Sequence, residues 1–333
     1  GDMRKFLLGL FVGFVLTAIT GVIFVFAFAR LGEAPPSIPS EGVLVLRLSG
    51  DIPETPPVSV PLLEPAPALA LFQAREAILR AATDDRIRAL VLRPQGLSIG
   101  WGKLAELRSA IAKFKESKKP VYAYLKAPRA RDYLLSLAAD RIYLTPEDLL
   151  YVKRLRIEAM TLGGTLEKLG VDLEVERIGK YKDAADTFTR KSMAEETRQV
   201  LNSLLDQLFA DMVGSIATAR KLDEAQVRAL IDQGPFLAED ARAGGLVDEL
   251  VYEDQFEERV VKATKLEEYK AVSGSAFYRA TSASGSRKNQ VALLVAEGNI
   301  VRSAPESVWG SEVLLASNQF RQTAEQIAKN DHI

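Results

Sequence analysis

The feature that most constrains this chain is an internal duplication. Val43-Leu44-Val45-Leu46-Arg47-Leu48-Ser49-Gly50-Asp51-Ile52 returns about 248 residues later as Val291-Ala292-Leu293-Leu294-Val295-Ala296-Glu297-Gly298-Asn299-Ile300. Each copy is an apolar run closed by Gly-(Asp/Asn)-Ile. Each is followed by a helical pattern ending in an acidic step and Ile: Thr83-Asp84-Asp85-Arg86-Ile87, then Lys329-Asn330-Asp331-His332-Ile333. After Ile87 the first copy continues into the apolar run Arg88-Ala89-Leu90-Val91-Leu92-Arg93, whereas the sequence stops at Ile333. A repeat of this period is a duplicated domain and not a solenoid unit. The sequence therefore reads as one whole domain followed by the opening of a second.

Composition removes several function classes. With 333 residues, 47% of them hydrophobic, the chain can bury one or two substantial cores. A net charge of -1 gives no basic field for nucleic acid. The absence of cysteine excludes disulfides, thiolate catalysis and most structural zinc sites. His332 is the single histidine, so neither a Ser-His-Asp triad nor a multi-histidine metal centre can be built from this sequence.

Gly1-Asp2 ahead of Met3 reads as a cloning remnant. Phe6 to Ala29 is then 24 residues without a charge, enough to cross a bilayer core of about 30 Å at about 1.5 Å per residue. Arg4 and Lys5 precede it and favour a cytoplasmic N-terminus. Ala27-Phe28-Ala29 resembles a signal-peptidase site, but the apolar run is longer than a signal core of about 7–15 residues, so a retained anchor is expected. In either case the remainder is extracytoplasmic.

Nine of the fifteen prolines fall between Pro35 and Pro67, which excludes helix and central strand there. The expected division is a cytoplasmic stub and anchor (1–30), a stalk (31–41), a first repeat (42–265) with a Pro-rich excursion (53–68), a Ser/Gly/Ala-rich linker (266–289) and the start of a second repeat (290–333). Within the first repeat, helices at Leu69–Ala82, Lys103–Lys118 and Tyr133–Ala139 alternate with strands at Val43–Leu48, Ile87–Leu92, Val121–Leu125 and Arg141–Leu144. Lys118-Lys119-Pro120 is a helix stop. A helix at Ala159–Leu169, a strand at Asp172–Arg177 and a helical region through Val200–Ala217, Asp223–Asp232 and Glu239–Ala243 follow. Short apolar strands spaced by helices predict α/β layers with parallel strands.

Four passages, in their order, resemble the signal peptide peptidase (protease IV) family in its long, tandem-repeat, membrane-anchored form. They are Ile87–Arg93, Tyr133-Leu134-Leu135 with Ala138–Leu144, Arg177-Ile178-Gly179-Lys180-Tyr181-Lys182-Asp183-Ala184, and Glu239–Leu250. With the anchor and the repeat, the resemblance covers the chain from Met3 onward. It implies a ClpP/crotonase-like layered fold, tandemly duplicated, and a serine endopeptidase with a Ser/Lys dyad that needs no metal and no cofactor. It also implies that the first repeat supplies the lysine and the second the serine. The implied substrates are cleaved signal peptides and other short apolar peptides, and the implied assembly is a homotetramer. The implied location is the bacterial inner membrane, with the catalytic domains outside the cytoplasm.

The chemistry is coherent. A serine hydroxyl needs a base, and a neutral lysine amine serves where histidine is absent. At pH 7 a free lysine is neutral in fewer than about one molecule in a thousand, and burial in apolar surroundings raises that fraction. By resemblance the base is Lys182. Lys180 is its rival, on the same face if the segment is extended. Two departures stand beside it: Asp183 in place of a small hydroxyl residue, and Thr187 in place of a proline before Phe188. The serine position of the family's active repeat falls at Ala130, which has no oxygen, and the expected Gly-Gly after it is Arg131-Asp132. Ser98 and Ser136 are the alternatives within the chain. The repeat offset instead puts the nucleophile roughly 45 residues beyond Ile333.

Gly163-Gly164 lacks the Lys-Ser/Thr of a phosphate loop. Asp84-Asp85 and Glu195-Glu196 read as solvated helix ends. Two other functions remain open: a membrane-tethered, non-catalytic peptide-binding scaffold on the same fold, and an acyl-CoA hydratase-like enzyme. An anchor and the lack of a catalytic acid pair weigh against the second.

Overall fold

A computed structural model describes residues 2–31, 36–56, 69–282, 291–303, 314–330 and 333. Most of the Pro-rich excursion, the later part of the expected linker, and His332 lie outside the described residues. The elements begin with α1 (Asp2–Leu31), β1 (Gly42–Gly50), α2 (Leu71–Thr83), β2 (Ile87–Leu97), α3 (Trp101–Glu116), β3 (Val121–Leu125), α4 (Ala130–Ser136) and β4 (Arg141–Leu144). They continue through β5 (Leu149–Leu150), α5 (Gly163–Lys168), α6 (Asp186–Thr189), α7 (Glu195–Arg220), α8 (Glu224–Gln233), β6 (Phe236–Leu237), α9 (Ala238–Ala243) and β7 (Glu249–Leu250). The last are α10 (Glu253–Thr264), β8 (Ala271–Ser273), α11 (Gly274–Ser282), β9 (Asn299–Val301), β10 (Leu314–Ala316) and α12 (Ser317–Ala328). They form two compact units. Unit 1 comprises Gly1–Arg93, Ser98–Val121 and Glu258–Ile333; unit 2 comprises Pro94–Leu97 and Tyr122–Glu257.

In unit 1 the strand order is β8-β1-β2, with β8 parallel to β1 in the register Val43↔Ala271 and Val45↔Ser273. Val43 to Leu46 are at most 1% exposed, the continuous burial expected of a strand covered on both faces. Helix α2 turns a stripe of Leu71, Ala74, Ala77, Ile78 and Ala81 inward against α3 and α11, the spacing of an amphipathic helix. The expected stop after α3 is built from Lys118, left-handed at φ 64°, and Lys119, whose Nζ donates to the carbonyls of Ala81 and Asp84 at the end of α2.

The expected linker is corrected here. Residues 271–282 are not a tether; they form β8 and α11, with Phe277 fully buried and the Tyr278 ring edge-on to Phe72. Gly274 permits this, because a Cβ there would lie 2.5 Å from Leu46 Cδ2. The second copy of the duplicated strand also departs from expectation. Only Asn299–Val301 joins a ladder, parallel to β10, and Val291 and Leu293 are 95% and 65% exposed. The same apolar pattern is buried at β1, which has two strand neighbours, and open to solvent at 291–297, which has none among the described residues. Helix α1 contains a 20-residue stretch, Lys5–Phe24, of mean hydropathy 2.5, long and apolar enough to cross a membrane.

In unit 2, β3, β4 and β7 are parallel neighbours, with Tyr122↔Arg141 and Tyr143↔Glu249 in register. The Phe256 ring stacks on Tyr124 at 4.8 Å and meets Tyr143 edge-on at 5.2 Å. Each unit has parallel strands accompanied by helices, the α/β class expected from the sequence. The strand expected at Asp172–Arg177 does not form. Val171, Leu173 and Val175 alternate with acids as a strand would, but they stay 43–48% exposed. A strand is stabilised by its ladder partner and not by alternation alone, and none of the described residues pairs with this stretch.

Candidate active site

The segment 177–190 presents Lys182 on a tight turn. Gly179 adopts φ 100°, a left-handed conformation that favours glycine, and its carbonyl accepts from the Lys182 backbone N–H at 3.3 Å. The Lys182 side chain is exposed, and its Nζ has no hydrogen-bond or ion-pair partner among the described residues. Lys180 differs: its Nζ lies 5.0 Å from the centre of the Tyr181 ring, within cation–π range.

Of the two departures noted in the sequence, Asp183 has a local explanation. Its Oδ2 accepts from Thr197 Oγ1 at 2.7 Å, which commits the carboxylate to the start of α7 and away from Lys182. Thr187 sits within the single turn of α6, where its carbonyl accepts from Leu162 N–H at 2.6 Å.

The turn is braced by charge and by backbone contact. Arg177 Nη1 donates to the Lys182 carbonyl at 3.3 Å and to Asp186 Oδ1 at 2.9 Å. Arg190 Nε holds the other Asp186 oxygen at 2.9 Å. Gly163, with no role in the sequence reading, supplies a close approach. Its N–H donates to the Arg190 carbonyl at 3.1 Å, and a Cβ on it would meet that backbone oxygen at 2.6 Å.

Ala130, the position equivalent to the family's serine, is the first residue of α4. The chain reaches it through Ala127, left-handed at φ 43°, whose N–H donates to Asp148 Oδ2 at 2.9 Å. Asp132 is fully buried and accepts three backbone N–H groups: Arg129 at 2.8 Å, Gly96 at 3.0 Å and Leu97 at 2.9 Å. Ser136 is fully buried and its Oγ donates to the Asp132 carbonyl at 2.8 Å, an internal helix bond that removes it from solvent and substrate. Ser98 is exposed and belongs to unit 1. No hydrogen bond among the described residues joins Lys182 to Ser136.

A third cluster went unseen in the sequence. Arg220, at the end of α7, grips Asp248 through two 3.0 Å bonds and donates Nε to the Gly245 carbonyl, while Asp248 also accepts Ile142 N–H at 2.7 Å. Burial pushes the Asp248 carboxyl up, but the Arg220 and Ile142 hydrogen bonds outweigh it and hold it below the usual carboxylate range. Among the described residues no group of three metal-ligating side chains occurs.

A family model described as peptidase family S49 matches residues 113–267, a span that contains Ala130, Asp132, Lys182 and Asp248. Residues 113–267 are a peptidase family S49 domain, and the similarity of this chain is to the signal peptide peptidase family. Among relatives, it is 33% identical to a serine protease SPPA, chloroplastic, of Arabidopsis thaliana over 255 residues, 74% of this chain and 37% of the relative. It is 26% identical to protease 4 of Haemophilus influenzae over 232 residues, 65% of this chain and 36% of the relative. The chain thus spans little more than a third of the length of these two curated relatives. Among solved structures, it is similar to a membrane-bound stomatin-specific protease at TM-score 0.40 and 11% identity, covering 70% of this chain and 97% of that one.

Proposed function

We propose that this chain supplies the general-base lysine, Lys182, of a membrane-anchored serine endopeptidase. The observation that carries the reading is the state of the 177–190 turn within the S49 domain. Of the two lysines in this turn, Lys182 has no side-chain partner among the described residues, whereas Lys180 is held over Tyr181, and the neighbouring Asp183 is held by Thr197. In the proposed reaction a serine from the second repeat, beyond Ile333, attacks the scissile carbonyl. Lys182 Nζ takes the hydroxyl proton and returns it to the leaving amine, and water then deacylates the serine. A lysine is a base only when neutral, so an apolar surface must cover Lys182 in the active assembly. That surface comes from the second repeat or from another subunit of a homotetramer.

The substrates of this reading are cleaved signal peptides and other short apolar peptides. Helix α1 holds the enzyme in a bacterial inner membrane, with Arg4 and Lys5 on the cytoplasmic side. The test is hydrolysis of an apolar signal-like peptide by the full-length protein, with wild type compared against Lys182→Ala at matched oligomeric state. Loss of turnover with assembly intact supports Lys182 as the base. Undiminished turnover overturns that assignment in favour of Lys180 or a base in the second repeat. No turnover by either protein across several apolar peptides favours the non-catalytic scaffold.

A further inference from the structure

Among the described residues Asp132 is the one charged side chain that is fully buried, and none of their cations forms an ion pair with it. A carboxylate taken out of water without a counter-ion is strongly unfavourable unless its oxygens are satisfied. Here they are satisfied by neutral donors alone. Oδ1 accepts from Leu97 N–H, and Oδ2 accepts from both Gly96 N–H and Arg129 N–H, all at 2.8–3.0 Å. Two of the donors, Gly96 and Leu97, are consecutive, with Gly96 itself left-handed at φ 65°; the third, Arg129, immediately precedes α4. Successive N–H groups converging on one point make an anion nest. The distances are those at which N–H groups hold the negative oxygen of an acyl-transfer intermediate.

We infer that the end of β2 and the start of α4 form a ready-made binding nest for a small carboxylate or an oxyanion, and that Asp132 is its permanent internal occupant. The carboxylate satisfies the same N–H groups that a peptide carbonyl would need in order to be polarised there. The nest of the first repeat is thereby closed to substrate. This part of the chain serves as a frame, and its donors are spent on fixing the 94–97 loop to the start of α4. The inference rests on the three contacts and not on the role proposed for Lys182.

The test is chemical rescue. In the full-length protein Asp132→Ala removes the occupant and leaves a space of carboxylate size facing three N–H groups. The expected result is a lowered Tm that sodium formate restores saturably, by on the order of a few degrees, with acetate weaker because of its methyl group. Wild type in formate, and the variant in sodium chloride of equal ionic strength, should show no such saturable rise. A folded variant whose Tm responds alike to formate and chloride overturns the inference. If Asp132→Ala does not fold, Asp132→Asn is the second variant, with hydrogen exchange of individual amides as the readout. The Gly96 and Leu97 N–H groups should then lose protection while that of Leu90, which bonds the Pro120 carbonyl, is retained. Unchanged protection at Gly96 and Leu97 overturns the inference.

Discussion

Replacing Gly163 with alanine tests the bracing of the lysine turn at the point where the backbone has no room to yield. The new Cβ would lie 2.6 Å from the Arg190 carbonyl oxygen and 2.8 Å from its C and N atoms. These are main-chain atoms, so relief requires the 162–164 turn to move away from 187–190. That movement breaks two hydrogen bonds, Gly163 N–H to the Arg190 carbonyl and Leu162 N–H to the Thr187 carbonyl. At about 1 kcal/mol each, plus residual strain, the loss is about 2–3 kcal/mol. It lowers the population of the braced turn by roughly 30- to 150-fold. Helices α5 and α6 bury no residue, so global stability should barely change while peptide turnover falls at least roughly tenfold. The neighbouring Gly164→Ala is the control, because its Cβ would meet nothing closer than Lys191 Cγ at 3.6 Å. The assay is kcat/KM on an apolar peptide together with hydrogen exchange at the Leu162 and Gly163 amides. Equal turnover and equal protection in the two alanine variants would refute the reasoning.

Gly274→Ala should destabilise the protein by about 1–2 kcal/mol, because overpacking against Leu46 and Leu69 exceeds the gain from a less flexible unfolded chain. In thermal unfolding this is a fall in Tm of roughly 2–6 °C, and an unchanged Tm would place residues 274–282 outside the core. Asp248→Asn should cost about 2–3 kcal/mol near neutral pH, since Arg220 loses a bidentate charged partner. The Asp248 carboxyl is held below its unfolded value of about 3.9, so its contribution is full above that pH and is lost as pH falls through the folded value. Denaturant unfolding should therefore show the gap between wild type and variant closing on acidification below about pH 4. A gap that is constant down to the acid limit would contradict the assignment.

The parts of the fold that were legible in the sequence are those whose partners leave a trace in the same segment. The sequence patterns at Val121–Leu125 and Arg141–Leu144 coincide with the strands to the residue, because a parallel strand covered on both faces is a near-continuous apolar run, interrupted here only by the exposed Arg141. Where the partner lies far away in sequence, the pattern misleads. Val171, Leu173 and Val175 alternate as a strand does but find no ladder, and Ser/Gly/Ala-rich 274–282 looks like a tether although Phe277 anchors it in the core. At the candidate site, the resemblance of residues 177–184 points to Lys182, while the bond that holds Asp183 leaves no local trace in the sequence, since its partner Thr197 lies 14 residues on. An acid at the third position of a helix is a visible capping signal. That Asp132 also holds two amides 35 and 36 residues earlier in the chain is a tertiary fact with no local trace.

The central claim, that Lys182 activates a serine supplied from outside the first repeat, is tested most directly by site mapping with a fluorophosphonate probe on the full-length protein. The account predicts a single phosphonylated serine beyond Ile333, with labelling greatly slowed in Lys182→Ala and retained in Lys180→Ala. Labelling at Ser98 or Ser136, or labelling of Lys182→Ala at the wild-type rate, would contradict it.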